Sequence, residues 1–378
     1  MQTVRAPCGM EWIMNIEVLA RPCISNHELY VPGKSVEEVK RELGLTDIIK
    51  LASNENPFGT SPKAVEAMKA EVEKVFQYPV PHCPELLTAI SEKYGVPENC
   101  IYIDNGGDGV LIHIMMAFVN PGDEVISADV TFPDYRNFTA NMDGKMVEIP
   151  LTADKCFDLE GILAAVTDRT KLVFICNPNN PTGTVISQEQ FERFMSRVPD
   201  HVLVVMDEAY ADFADPSVYP DSIAALKEHE NLMVLRTFSK VYGLAGTRCG
   251  FMLSSEAVVR TMMRVREPFP VNRIAQAGAL AALQDREFME KTIRNNAEGR
   301  EVYYRAFEEL GFRYWKSQAN FVFADTGRSA AEVGRRMMEQ GVIIRPCGGM
   351  GEPSCIRITV GTPEENDRAI RALKKALE

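Results

Sequence analysis

The sequence predicts an α/β fold: a large domain with a mostly parallel central sheet flanked by helices, plus a smaller α+β domain. Three observations predict it. Short runs at Val125–Ser127, Met146–Ile149, Leu172–Cys176, Val202–Met206 and Leu232–Leu235 have strand length, and several are apolar throughout. Continuous apolar runs are expected of parallel strands covered on both faces. Helical stretches alternate with them, and from Phe312 onward the pattern changes to strand, helix, strand, strand, helix.

Taken in order, residues 1–34 read as an N-terminal arm, without periodicity to about Asn26 and ending in a turn at Tyr30-Val31-Pro32-Gly33-Lys34. A charged amphipathic helix follows from about Ser35 to Leu43. Residues 35–50 and 271–378 are expected to form the small domain, and 51–270 the large one. The polar segment Leu51–Gly59, LASNENPFG, is an ordered loop near a site or a domain edge. Ser61-Pro62 opens a helix to about Val75, with proline near the first position as helices favour. Ile101–Ile103 is a short strand, and Gly106-Gly107-Asp108-Gly109 leads from it into an apolar helix, Val110–Phe118. Helices around Asn272–Gln284 and from about Glu287 to Leu310 carry the chain into the small domain.

The bulk numbers exclude some function classes. With 378 residues there is chain for two or three domains. A net charge of -12 argues against nucleic acid or an anionic membrane as partner. The nine cysteines are odd in number and scattered, with no C-x-x-C pair, so they read as free thiols in a reducing compartment. The five histidines make no metal-ligand spacing with them. Without a secretory signal or an apolar run of membrane-spanning length, a cytoplasmic location is expected.

The chemistry is concentrated in Leu235–Gly250, LRTFSKVYGLAGTRCG. Just past a buried strand it places two hydroxyls (Thr237, Ser239), one lysine (Lys240) and an arginine (Arg248). A lysine there can lose its charge to burial or a neighbouring cation, and the neutral amine attacks carbonyls. Thr237, Ser239 and Arg248 suit a phosphate. Together they suggest a lysine holding a phosphorylated aldehyde, which describes pyridoxal phosphate.

Ligands of open parallel sheets bind beyond the carboxyl ends of the strands, so the residues after each strand belong together. After Leu172–Cys176 comes NPNNPTG, presenting Asn180; after Val202–Met206 come Asp207, Glu208 and Tyr210. After Ile101–Ile103 comes a Gly-rich turn into a helix N-terminus, where backbone amides favour a phosphate. Each piece alone has a structural reading: a tight turn, an N-cap aspartate, a core phenylalanine at Phe132, a surface ion pair at Arg357. Together they supply a carbonyl-binding lysine, a carboxylate for a ring nitrogen, a phosphate cup and an aromatic face. Downstream, in Ile356-Arg357-Ile358-Thr359-Val360, strand alternation turns Arg357 away from the small domain's core, able to meet an anion bidentately.

These residues closely resemble the fold-type-I pyridoxal-phosphate aminotransferases, and within them the histidinol-phosphate aminotransferase family. The likeness runs from about Tyr30 to the C-terminus and is carried by YVPGK, LASNENPFG, NPNNPTG, DEAY, RTFSK with GLAGTRCGF, SQANFVF and IRITVGTPEEN. The resemblance implies that Lys240 carries the cofactor and acts as acid/base, and that Asp207 pairs with its ring nitrogen. It further implies that Asn180 and Tyr210 bond the ring oxygen. Gly107, Asp108, Thr237, Ser239 and Arg248 would hold the phosphate, with Phe132 against the ring. Tyr30, Asn54, Asn320, Arg345 and Arg357 match substrate-side positions. Tyr78 looks like the tyrosine that reaches the other subunit's site, implying a homodimer.

The implied reaction interconverts L-histidinol phosphate plus 2-oxoglutarate with imidazole acetol phosphate plus L-glutamate, in histidine biosynthesis, with ping-pong kinetics. The alternatives are an aminotransferase for aromatic or other amino acids on the same scaffold, and a pyridoxal-phosphate decarboxylase of a phosphorylated amino acid such as threonine phosphate. The chain departs from the family's usual pattern at Gly109, where a glutamate is common, at Val130–Phe132, and at Val80, where an acidic residue is common.

Overall fold

The computed structural model of the chain describes residues 16–24 and 34–378. Tyr30, and the expected turn around it except Lys34, lies outside the described residues. Of the arm, 3-10 turns at Ile16–Leu19 and Pro22–Ile24 are described.

Seven strands form the large sheet: β1 Ile101–Asp104, β2 Glu124–Ala128, β3 Lys145–Ile149, β4 Thr170–Cys176, β5 Leu203–Asp207, β6 Leu232–Thr237 and β7 Gly250–Ser254. Their order is β1-β7-β6-β5-β4-β2-β3. Every pairing is parallel except the two made by β7. The central strands carry continuous apolar runs because helices cover both faces: Val173, Phe174, Val205 and Val234 have no exposed surface. The helix Gly106–Phe118 contributes Val110, Leu111, Ile114 and Met115 to this core.

Strand β7 is absent from the sequence-based expectation. It opens with a glycine at the end of a Gly-rich loop, and its apolar run is short. A Cβ on Gly250 would lie 2.7 Å from the Gly106 carbonyl carbon and 2.8 Å from the Gly107 nitrogen. Glycine is therefore required where β7 passes beneath the Gly-rich turn.

The small antiparallel sheet has the order Arg345–Pro346, Cys355–Thr359, Phe321–Asp325, Arg313–Trp315. Two strands precede its first helix, Ala330–Met338, where one was expected. The additional strand, three residues long, is too short to show a period. Ile356, Ile358 and Val360 join Phe307, Val333 and Leu373 in a second core cluster, as the alternation predicts. Ile49–Lys50 pairs in parallel with Val342–Ile343, which ties the residues after the Val36–Leu43 helix to this layer. The helix Arg273–Leu283 departs from expectation. It buries Ala275, Ala279 and Ala282 in the large sheet's cluster, so by packing it goes with the large layer.

Candidate active site

The carboxyl ends of β4, β5 and β6 are adjacent and in register, with Cys176 opposite Asp207 and Asp207 opposite Leu235. Topology alone thus gathers the polar residues that follow each strand. Asp207 ends β5 and is buried. Its Oδ2 accepts from the Tyr135 hydroxyl at 2.6 Å and its Oδ1 from the Ala209 amide at 3.2 Å. Burial raises its pKa, while Tyr135, the Ala209 amide and the Lys240 charge oppose the rise. Among the described residues no cation is within ion-pair distance of it. A buried carboxylate lacking a counter-ion fits the protonated ring nitrogen of pyridoxal phosphate.

Lys240 lies just beyond β6, half-buried, its Nζ 5.4 Å from the centroid of the Tyr210 ring and 3.5 Å from the Ser53 carbonyl. Burial, and after it the Arg357 charge, lower its pKa to about 8. Tyr210 is buried, and its hydroxyl accepts from Asn54 Nδ2 at 3.0 Å. Burial pushes that hydroxyl up to about 12, so it stays protonated and can donate.

The turn after β4 is held from within. Thr131 Oγ1 donates to Asn179 Oδ1 at 2.8 Å, and Asn179 Nδ2 donates to the Val130 carbonyl at 3.0 Å. These bonds dock the Phe132 segment on the turn that carries Asn180. Phe132 is half-buried and meets Tyr135 edge-on at 5.5 Å. Asn180 is buried, and its Oδ1 accepts from Arg357 Nη1.

The Gly-rich turn and the Lys240 segment form one cup. The helix begins at Gly106, not Val110, so the amides of Gly107 and Asp108 belong to its first turn. Arg248 has a left-handed backbone, φ 58°, and its guanidinium returns to Asp108 at 3.0 Å. Thr237 Oγ1 donates to Ser239 Oγ at 2.9 Å and accepts from the Ser239 amide at 3.0 Å. Amides, hydroxyls and a guanidinium are the donor set a phosphate dianion needs.

From the small domain, Arg357 is buried and also donates to the Ala52 carbonyl at 2.6 Å. Arg345 pairs directly with Arg357 across the sheet, so both arginines are on one face. Asn54, itself left-handed at φ 55°, accepts from Thr359 Oγ1 at 3.1 Å, and Asn320 Nδ2 donates to its carbonyl at 3.0 Å. Asn320 Oδ1 is buried without a hydrogen bond, an acceptor available to a ligand. Tyr78 is elsewhere: it is 80% exposed and stacked on Phe269 at 4.8 Å.

Sequence reasoning missed Tyr135. The signal was available, because a buried aspartate needs donors and the Asp207 peptide supplies few. It also missed the pairing of the two unassigned charges in DEAY and RTFSK. Glu208 is wholly buried, with its Oε2 2.6 Å from Arg236 Nη2. This ion pair joins the ends of β5 and β6 beside Asp207 and Thr237.

The model for aminotransferase class I and II matches residues 46–373. The chain belongs to that family. A histidinol-phosphate aminotransferase from Moorella thermoacetica is 44% identical over 94% of this chain and 92% of its own length. One from Geobacillus sp. (strain WCH70) is 45% identical over 92% of this chain and 95% of its own. The crystal structure of histidinol-phosphate aminotransferase from Sinorhizobium meliloti, in complex with pyridoxal-5'-phosphate, superposes with a TM-score of 0.87. It is 30% identical, and the match covers 94% of this chain and 96% of that one.

Proposed function

We propose that this protein is a histidinol-phosphate aminotransferase that uses pyridoxal 5'-phosphate, with 2-oxoglutarate and glutamate as the second substrate pair. The observation that carries the substrate class is Arg345 facing Arg357 on neighbouring strands, beside Asn180. Like charges directly opposite repel, so the pair favours an anion between or above them. A phosphate monoester and a dicarboxylate both qualify, as two substrates that use the site in turn must.

When bound, the cofactor supplies an aldehyde for the amine and a protonated ring that takes up the electron pair left when the substrate's Cα–H bond breaks. The chain's residues do the rest. Lys240 would hold the aldehyde, and its Nζ is the base placed to take up and give back the proton of the substrate's Cα. Its lowered pKa leaves a usable share of the amine neutral near physiological pH. Asp207, steadied by Tyr135, keeps the ring nitrogen protonated. Asn180 and Tyr210 donate to the ring oxygen, and Phe132 limits the ring from one face. Gly107 and Asp108 amides, Thr237, Ser239 and Arg248 hold the phosphate. Asn54 and Asn320 border the substrate.

A homodimer is supported by apolar side chains left in the open: Val72, Val75, Phe76, Tyr78 and Val80 are each more than half exposed, and Phe269 stacks on Tyr78. In the assembly Tyr78 would reach the partner's site. The free cysteines are in keeping with a cytoplasmic location, and among the described residues no helix is long and apolar enough to cross a membrane.

The test is spectroscopic. L-histidinol phosphate added without a keto acid should remove the absorption band of the lysine-bound cofactor, and 2-oxoglutarate should restore it. A protein that binds cofactor but leaves the band unchanged is not this enzyme.

A further inference from the structure

Behind the phosphate cup is a charged cluster with no part in the chemistry above. Asp104 ends β1 and is buried, and so is His113 on the helix Gly106–Phe118. His113 Nδ1 is 2.5 Å from Asp104 Oδ2, and the Tyr102 hydroxyl is 2.8 Å from the same nitrogen. Glu267 Oε2 is 3.2 Å from His113 Nε2. A carboxylate can only accept, so one at each nitrogen favours the imidazolium: Asp104 and Glu267 raise the His113 pKa against the burial that lowers it. The Arg266 guanidinium, 5.6 Å from the Tyr102 ring centroid, and the Arg248 guanidinium beside Gly106 are further charges packed against this strand end.

Asp104 has two further neighbours. Its Oδ1 accepts from the amide of Asn105, the residue that enters the cup, at 2.6 Å. A Cβ on Gly109 would lie 3.0 Å from the same oxygen and 3.3 Å from Asp104 Cγ. The carboxylate therefore occupies the space that a side chain at 109 would need.

We propose that Asp104 and His113 are positioning residues of the cofactor-phosphate cup. Asp104 fills the space over Gly109 and fixes the Asn105 amide, and His113 anchors that carboxylate and cancels its charge. The cancellation matters because a lone carboxylate at a helix N-terminus competes with the phosphate for the same field. The inference rests on reading Gly107, Asp108, Thr237, Ser239 and Arg248 as the phosphate cup.

The experiment uses the full-length protein freed of cofactor. Its affinity is measured for pyridoxal phosphate and for pyridoxal, the same aldehyde without phosphate. The ratio of the two dissociation constants isolates the cup. His113→Gln and Asp104→Ala should each lower the preference for the phosphate ester roughly tenfold and leave pyridoxal binding nearly unchanged. Gly109→Ala should lower it beside Asp104 but have little effect beside Asp104→Ala, the coupling expected of groups in contact. Equal losses for both aldehydes, or lower thermal stability with an unchanged ratio, would overturn the inference in favour of a purely structural role. Arg248→Gln separates the two levels. If it leaves the ratio unchanged, the reading of the cup is wrong. If it lowers the ratio while the Asp104 and His113 variants do not, only the present inference fails.

Discussion

Lys240 should titrate near pH 8 in the cofactor-free protein, and Arg357 should be one reason. Burial is the largest cause of the depression, the Arg357 charge comes next and Arg248 adds to it, with Glu55 and Asp108 opposing. At pH 7.5 a lysine at the ordinary value of 10.5 is neutral in roughly one molecule in a thousand, whereas one at about 8 is neutral in roughly a quarter. The site thus gains roughly two hundredfold in reactive amine. The perturbation is Arg357→Gln, which removes a cation while leaving the burial. The assay is competitive acylation across pH, with the Lys240 peptide quantified by mass spectrometry against exposed lysines. Half-maximal labelling should fall near pH 8 in the parent, and higher, though below the exposed lysines, in the variant. Coincidence of Lys240 with the exposed lysines in the parent, or an unmoved midpoint in the variant, would refute the reasoning. The linkage has a definite sign. A depressed lysine destabilises the cofactor-free fold fully below about pH 8, and the cost is relieved as pH rises toward 10.5.

Further outcomes follow from other contacts. Asp207→Asn should retain the lysine-bound cofactor but slow turnover on the order of a hundredfold, measured as kcat, since the ring loses its charged partner. Tyr135→Phe removes one donor to that carboxylate and should cost about tenfold in kcat with the fold intact, checked by circular dichroism. Glu124, buried and bonded by Thr167, Arg169 and Lys145, has its pKa lowered to about 2. Its contribution is present above the unfolded value of 4.5 and lost as pH falls through about 2. Glu124→Gln should therefore lower Tm by a few degrees at pH 7, about 2 kcal/mol with the exposed cations screened, and the difference should shrink as pH falls below 4.5 and close near pH 2.

Much of the site was legible because it is local. Continuous apolar runs marked β4, β5 and β6, and parallel topology dictates that whatever follows such strands meets at one edge. Asn180, Asp207, Tyr210 and Lys240 could be grouped on that rule, and strand alternation put Arg357 on the face opposite Ile356 and Ile358. The motifs then matched one family over most of the chain. Some elements were not legible: Arg313–Trp315 is too short to show a period, β7 has a short apolar run that opens directly from a Gly-rich loop, and the small residues of Arg273–Leu283 do not say which core they pack on.

What only the tertiary structure decided are contacts between residues distant in sequence. Tyr135 on Asp207, Glu208 against Arg236 and Arg345 opposite Arg357 each depend on register between separate strands or on how one layer docks on another. The same is true of Gly250 beneath Gly106 and, over a shorter span, of Asp104 against Gly109. Strand-end chemistry is set by connectivity, which a sequence displays. Side-chain partners are set by packing at a few ångströms, where a one-residue shift in register would put strand residues such as Arg357 on the wrong face.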